Sequence, residues 1–297
     1  MADTKITALT ANTTPLTTDL LAMVDDPGGT PATQKVTVAN FLTLKIFPRG
    51  HIWGLTMSNA ADTVNDITVA VGEACSEDGA GNMVLASAIT KQLDAGWAVG
   101  TNAGGLNTGA KADSTWYEVH LIKRVDTGVV DVMFTTTANR ATLPTNYTLQ
   151  RRIGWIRNNA TPTILQFTQV DDHFTLTTQI NDVDGTATAT AAAVTLTVPP
   201  NAIARFRASA VSSTSANSAW GIVFSEIVEG NVTPAGTTGI LSLGGQDQAT
   251  WQGGHFELRV SSTSTIEHDS VMPSASTPTF DISTYGWIDH RESMSNI

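Results

Sequence analysis

The clearest order along the chain is an alternation of apolar and polar positions with a period of two. From Trp116 to Ile122 it places Tyr117, Val119 and Leu121 on one side. Asp126-Thr127-Gly128 then supplies a turn, and Val130, Val132 and Phe134 line up on the way back. Alternation on both sides of a glycine turn predicts a β-hairpin. The stretches Arg152-Ile153-Gly154-Trp155-Ile156 and Thr163-Ile164-Leu165-Gln166-Phe167 predict a further strand pair. Later, Val194, Leu196 and Val198 alternate with threonines and stop at Pro199-Pro200. Trp220, Ile222 and Phe224 form one stripe, and Phe256, Leu258 and Val260 another. Short strands separated by turns predict an antiparallel sandwich. Helical periodicity is nearly absent; the one arguable stretch, Asn82 to Leu93, is short and poor in charged pairs. No fixed repeat of roughly 20 to 50 residues appears, which argues against a propeller or solenoid. Heptads are missing too, so a coiled-coil shaft is excluded.

Three regions separate by pattern: 1–47, 48–174 and 175–297, the last including a low-complexity stretch from Gly185 to Ala193. The first has Thr-rich stretches, the apolar patch Leu20, Leu21, Met23 and Val24, a turn at Asp25-Asp26-Pro27-Gly28-Gly29, and Phe41-Leu42 near its end. So few large apolar groups cannot build a core alone, and the segment must dock on another surface or stay mobile. The expected fold is mainly β: a short extended N-terminal docking arm followed by two antiparallel β-sandwich-like domains.

Composition sharpens this picture. Hydrophobic residues make up 41% of the 297, enough for a sizeable core, but charged residues only 14%. A typical soluble domain carries roughly 25%. A surface of short uncharged polar side chains suits β-rich extended assemblies better than a helical enzyme. The net charge is -11 with 16 basic residues, and the nearest basic cluster, Arg151, Arg152 and Arg157, is sparse. Nucleic acid is therefore not an expected partner, since phosphate neutralisation needs a clustered basic face. Cys75 is the single cysteine, which excludes an intrachain disulfide and suits assembly in a reducing cytoplasm. Residues 1–20 have no basic start or apolar run of a signal peptide. No stretch approaches the roughly 18 to 20 apolar residues that span a bilayer, so membrane insertion is not expected.

Several groups invite chemistry and are better read without it. Gly104-Gly105-Leu106-Asn107-Thr108-Gly109-Ala110-Lys111 resembles a phosphate-binding loop superficially. That loop needs Lys directly after the last Gly, then Ser or Thr opening a helix; here Ala110 intervenes and Ala112 follows. Glu267-His268-Asp269 and Asp171-Asp172-His173 set carboxylates beside imidazoles. Neighbours on a strand point to opposite faces, so neither triplet presents a ready metal site. Glu73 and Glu77 flank Cys75 and would raise a thiol pKa if close in the fold, which is the wrong direction for a nucleophile. Asp131, Glu226 and Glu257 are candidate acids for glycan hydrolysis, but nothing in the sequence pairs them. The expectation is a non-enzymatic chain with no cofactor and no metal. Trp97, Trp220 and Trp251 stand in or beside Gly- and Ser-rich segments, where a ring could stack on a sugar, and are candidate glycan contacts. Trp116 and Trp155 lie in strong strand patterns and are expected to pack.

Residues 5–42, from Lys5-Ile6-Thr7-Ala8-Leu9 through Asp19-Leu20-Leu21-Ala22-Met23-Val24-Asp25 to Lys35-Val36-Thr37-Val38-Ala39-Asn40-Phe41-Leu42, resemble the N-terminal segment of many phage tail-fibre and head-fibre proteins. A second stretch resembles a module of phage virion and tail-fibre-like proteins. It runs from Trp116-Tyr117 through Leu143-Pro144-Thr145-Asn146-Tyr147 and Arg151-Arg152-Ile153-Gly154-Trp155 to Phe167-Thr168-Gln169, and Tyr285-Gly286-Trp287-Ile288-Asp289 looks like part of the same architecture. Together these cover about half the chain. The resemblance implies a structural protein of the virion, assembled in the bacterial cytoplasm and usually a homotrimer. Its partners would be other phage structural proteins of the capsid, neck or tail. Leu20, Leu21, Met23, Val24, Phe41 and Leu42 would be the virion-docking residues. An alternative from another class is a receptor-binding protein that grips a host surface glycan through 175–297.

Overall fold

A computed structural model describes residues 16, 18–25, 29–30, 32–38, 47–161, 163–186, 192–211, 220–227, 241–245, 251–271 and 279–291. Its contacts divide the chain into two units, Met1–Phe47 and Pro48–Ile297. In the first unit, β1 (Leu20–Asp25) and β2 (Ala32–Thr37) form a two-stranded antiparallel sheet.

The second unit is mainly β, as the alternation predicts, and most of its pairing is antiparallel. In chain order its strands begin with β3 (Ile52–Gly54), β4 (Met57–Asn59), β5 (Asp66–Val69), β6 (Gly72–Cys75), β7 (Asn82–Leu85) and β8 (Ile89–Gly96). They continue with β9 (Ala103–Leu106), β10 (Thr115–Lys123), β11 (Val130–Thr135), β12 (Leu149–Asn158), β13 (Phe167–Val170) and β14 (His173–Thr186). The remainder are β15 (Ala192–Thr195), β16 (Ile203–Val211), β17 (Trp220–Ser225), β18 (Leu241–Gly245), β19 (Gln252–Arg259), β20 (Thr265–Val271) and β21 (Thr279–Ile288). They order into the sheets β3-β6-β7, β12-β10-β11-β9-β8-β5-β4, β13-β14-β21-β16-β19 and β15-β20-β17-β18.

The predicted hairpin is β10–β11, with Val119 opposite Phe134 and Leu121 opposite Val132. Gly128 turns it at a positive φ of 75°. Tyr117, Val119, Leu121, Val132 and Phe134 are all buried in one core. Asn82 to Leu93 is not helical: it holds β7 and the start of β8, with Met83 and Leu85 inward and Val84 exposed. The expected pairing of 152–156 with 163–167 is corrected. Strand β12 pairs along its length with β10, and 163–167 meets only its far end, at the bridge Asn158↔Ile164. The long β10 completes more of the β12 ladder than a short returning segment can, and Phe167 leaves to open β13 against β14.

Towards the C-terminus two sheets pack face to face. Phe206 of β16 and Phe256 of β19 stack at 5.5 Å, and Phe224 of β17 meets them at 5.4 and 5.1 Å. Aromatic groups in offset and edge contact add to their burial. The same core runs on into the earlier sheets. Trp287 of β21 stacks on Phe174 at 4.9 Å and meets Trp116 of β10 edge-on at 5.2 Å. Residues 174 and 175, where composition places a boundary, sit inside β14. Strand β14 pairs with β21 on both sides of that point, across a register shift between Thr175 and Ile180, and one core serves both parts.

Candidate functional site

The hairpin β1–β2 is the first candidate. Leu20 faces Thr37, Leu21 faces Val36, Met23 faces Gln34 and Val24 faces Thr33. Leu20 and Leu21 are neighbours on one strand and so point to opposite faces. Both are exposed, at 56% and 39%, and Leu16 just before them is 66% exposed. Asp19 orders the entry: its carboxylate accepts from the Leu16 amide at 3.0 Å, and its carbonyl accepts from Val38 at 2.8 Å. Among the described residues the ribbon leaves leucine exposed on both faces, and an isolated two-stranded hairpin is marginal in water. Phe41 and Leu42, the remaining docking candidates, lie outside the described residues.

Trp97 lines a cleft of about 570 Å3 together with Val99, Leu143, Pro144 and Tyr147. Its indole N–H donates to the Val132 carbonyl at 3.0 Å, and Tyr147 meets it edge-on at 5.0 Å. From below, the Lys91 ammonium stands 5.3 Å from the ring centroid. Lys91 and Asp131 form a fully buried ion pair at 3.2 Å. The ammonium also donates to the Gly100 carbonyl at 3.1 Å, and Asp131 accepts from the Gly100 amide at 2.7 Å and the Val132 amide at 2.6 Å. Burial pushes the Lys91 pKa down, against the pull of Asp131. The pair pins the loop that carries Trp97, so the ring is a fixed wall. Trp220 opens β17 opposite Gly245. Trp251 is exposed at the start of the edge strand β19.

A third group was not visible in the sequence. On the face of β10 away from the core, His120 Nε2 and Glu118 Oε2 lie 2.7 Å apart, both residues buried. Arg140 reaches Glu118 at 3.5 Å and Glu77 at 3.6 Å, and Thr137 donates to Glu118 at 3.0 Å. Arg152 holds Asp289 through both carboxylate oxygens, at 2.8 and 2.7 Å, and its amide donates to Glu77 at 2.9 Å. A cavity of about 180 Å3 opens beside them. Burial alone would raise the Glu118 pKa, but His120, Arg140 and Thr137 together hold it below the usual carboxylate range. Each carboxylate here is engaged by a cation of the same chain, the arrangement of a clasp.

The remaining sequence candidates resolve into local structure. Gly104 and Gly105 lie inside β9, and a Cβ on Gly104 would fall 2.0 Å from the Gly96 carbonyl oxygen, so close backbone approach accounts for that glycine. Lys111 donates to the Val64 carbonyl at 2.9 Å and to Asn65 at 2.7 Å. Of the three arginines of the sparse basic cluster, Arg151 is buried, Arg152 is the clasp and Arg157 lies 5.9 Å over the Trp116 ring. Asp172 pairs with Arg291 at 3.1 Å, Glu73 lies 3.5 Å from His51, and Cys75 is buried. Among the described residues no three His, Cys, Asp or Glu side chains converge on one point that could hold a metal ion.

No protein-family model matches the sequence, and no curated protein matches it. Among solved structures, a protein of the disulfide-linked pili that form Bacillus endospore appendages aligns at 19% identity and a TM-score of 0.24, covering 37% of this chain and 88% of its own. A Bacillus thuringiensis Cry1Da tryptic core variant aligns at 9% identity and a TM-score of 0.19, covering 91% of this chain and 58% of its own. The first of these is an appendage protein, but at such scores neither likeness carries an argument about fold or role.

Proposed function

We propose that the chain is a structural subunit of a bacteriophage particle, a fibre or head appendage held to capsid, neck or tail through residues 1–47. The observation that carries this reading is the hairpin β1–β2, which exposes leucine on both faces and belongs to the unit Met1–Phe47. A partner surface would bury those leucines and continue the ladder at an open strand edge. Burial of three leucines supplies on the order of 3 kcal/mol or more. The likeness of residues 5–42 to fibre attachment ends supports the same reading, as does a surface of short uncharged polar groups. The role in this reading is architectural: the buried Glu118 carboxylate is held by His120 of its own strand and by Arg140 from the segment after β11. A homotrimer, assembled in the host cytoplasm, fits the resemblance.

The test is incorporation into particles. Chains with Leu20→Asp and Leu21→Asp, or lacking 1–47, are expressed during infection and looked for on purified particles by mass spectrometry. The expected result is a folded protein that stays in the soluble fraction and is missing from the virion. Incorporation at the unmodified level overturns the anchoring role. Sedimentation of the purified chain reads the subunit number, and a monomer at micromolar concentration removes the trimer.

A further inference from the structure

The sheet β13-β14-β21-β16-β19 carries a groove of about 350 Å3 that the anchoring reading does not use. Arg207 and Ser209 rise from β16, Asp281 and Ser283 from β21, and His255 from the edge strand β19. Register makes them neighbours: Arg207 lies opposite both Ser283 and His255, and Ser209 opposite both Asp281 and Gly253. A Cβ on Gly253 would meet nothing nearer than the Ala208 carbonyl oxygen at 3.6 Å, so the furrow there is open because a side chain is missing, not because the backbone is strained. Tyr285 extends the face, with the Arg205 and Arg207 guanidiniums 4.9 and 5.6 Å from its ring and His255 edge-on at 5.5 Å. Trp251, 53% exposed, immediately precedes β19, and strand alternation puts it on the side of Gly253 and His255.

The polar groups differ in how far they are used. Arg205 is paired with Glu257 at 3.2 Å. Arg207 makes no ion pair among the described residues and lies against the Tyr285 ring. Asp281 stands directly opposite Asp184 on β14, and burial together with Asp184 pushes its pKa up. A planar guanidinium donates two parallel hydrogen bonds, a carboxyl accepts them, and an exposed indole offers a flat apolar face. One cation beside two carboxyl groups gives the face no excess of positive charge, which disfavours a strongly anionic ligand. Trp251 stands four positions before His255, a span of roughly 13 Å. That is room for a short run of rings rather than one.

We propose that this groove binds a neutral glycan, with a pyranose ring stacked on Trp251 and vicinal hydroxyls held between Arg207 and Asp281. The inference does not rest on the anchoring role, because the groove and the hairpin share no residue. The full chain is applied to an array of bacterial surface glycans with neutral and acidic repeat units. Binding to neutral glycans is expected, weakened about tenfold or more by Trp251→Ala and by Arg207→Gln, each removing an exposed side chain. Trp97→Ala, outside the groove, is expected to bind as the unmodified chain does. Between about 50 and about 300 mM salt the affinity is expected to change less than twofold, as no net charge is neutralised. Thermal melting of each variant confirms the fold. No binding to any neutral glycan at millimolar concentration overturns the proposal, as does a preference for acidic ones or binding that survives both substitutions.

Discussion

At Gly286 a side chain has nowhere to go: a Cβ would lie 2.1 Å from the backbone oxygen of Phe174 on the neighbouring strand. Backbone cannot swing aside as a side chain can, so Gly286→Ala is expected to cost about 2 to 4 kcal/mol. For a unit of this size that lowers the melting temperature by roughly 5 to 15 °C, read by calorimetry. The buried pair Lys91–Asp131 gives a second test. Asp131→Asn strands an ammonium away from water and is expected to cost about 3 to 5 kcal/mol in urea unfolding. The double variant Lys91→Met, Asp131→Asn is expected to recover part of that loss. His268, buried against Phe280, has its pKa pushed below the ordinary value of 6.5 by burial, against the pull of Asp269. Below that pH the unfolded chain takes up a proton that the folded chain does not. Its contribution is thus complete above about 6.5 and is lost as pH falls toward the lower folded value. His268→Gln is expected to flatten the fall of melting temperature between about pH 6.5 and 5; an unchanged slope would discard this assignment. What the sequence hides at this scale is the cover over polar positions. Glu118 and His120 alternate with Tyr117 and Val119 as solvent-facing residues would, yet both are buried because Arg140, Thr137 and Arg152 come from elsewhere in the chain to meet them.

Among the elements, β10–β11 was legible because a glycine turn and two aligned apolar stripes are local facts. The stripes Ile222–Phe224 and Phe256–Leu258 likewise mark strands whose inner faces meet in the core. Partner choice is not local. The position of β12 beside β10, and the parallel pairing of β9 with β8 and β11, depend on residues far apart and leave no mark in periodicity. The hairpin β1–β2 was readable as an apolar patch around a turn, but its exposure had to come from the fold. A ribbon this small is expected to exchange its amides within seconds in the purified chain and to become protected in assembled particles. Protection already present in the free chain would mean that it needs no partner.

For the whole molecule, the contacts divide the chain at 47/48, and residues 174 and 175 lie within β14. Low complexity from Gly185 to Ala193 signals a change of surface, whereas the aromatic seam of Trp116, Phe174 and Trp287 joins the residues on either side. A chain of residues 48–174 alone is therefore expected to be insoluble or molten. Residues 48–297 are expected to melt in one transition, within about 1 kcal/mol of the full chain.

The place of β21 has a consequence for biosynthesis. It inserts between β14 and β16, pairing His173 with Ile288 and Ile203 with the same residue, although both neighbours leave the ribosome far earlier. Until it arrives, two long strands stand with unsatisfied inner edges, open to each other's neighbours in a polysome. Folding of this sheet is thus deferred until β21 has been made, and a nascent chain stalled before Thr279 should be a client for a holding chaperone.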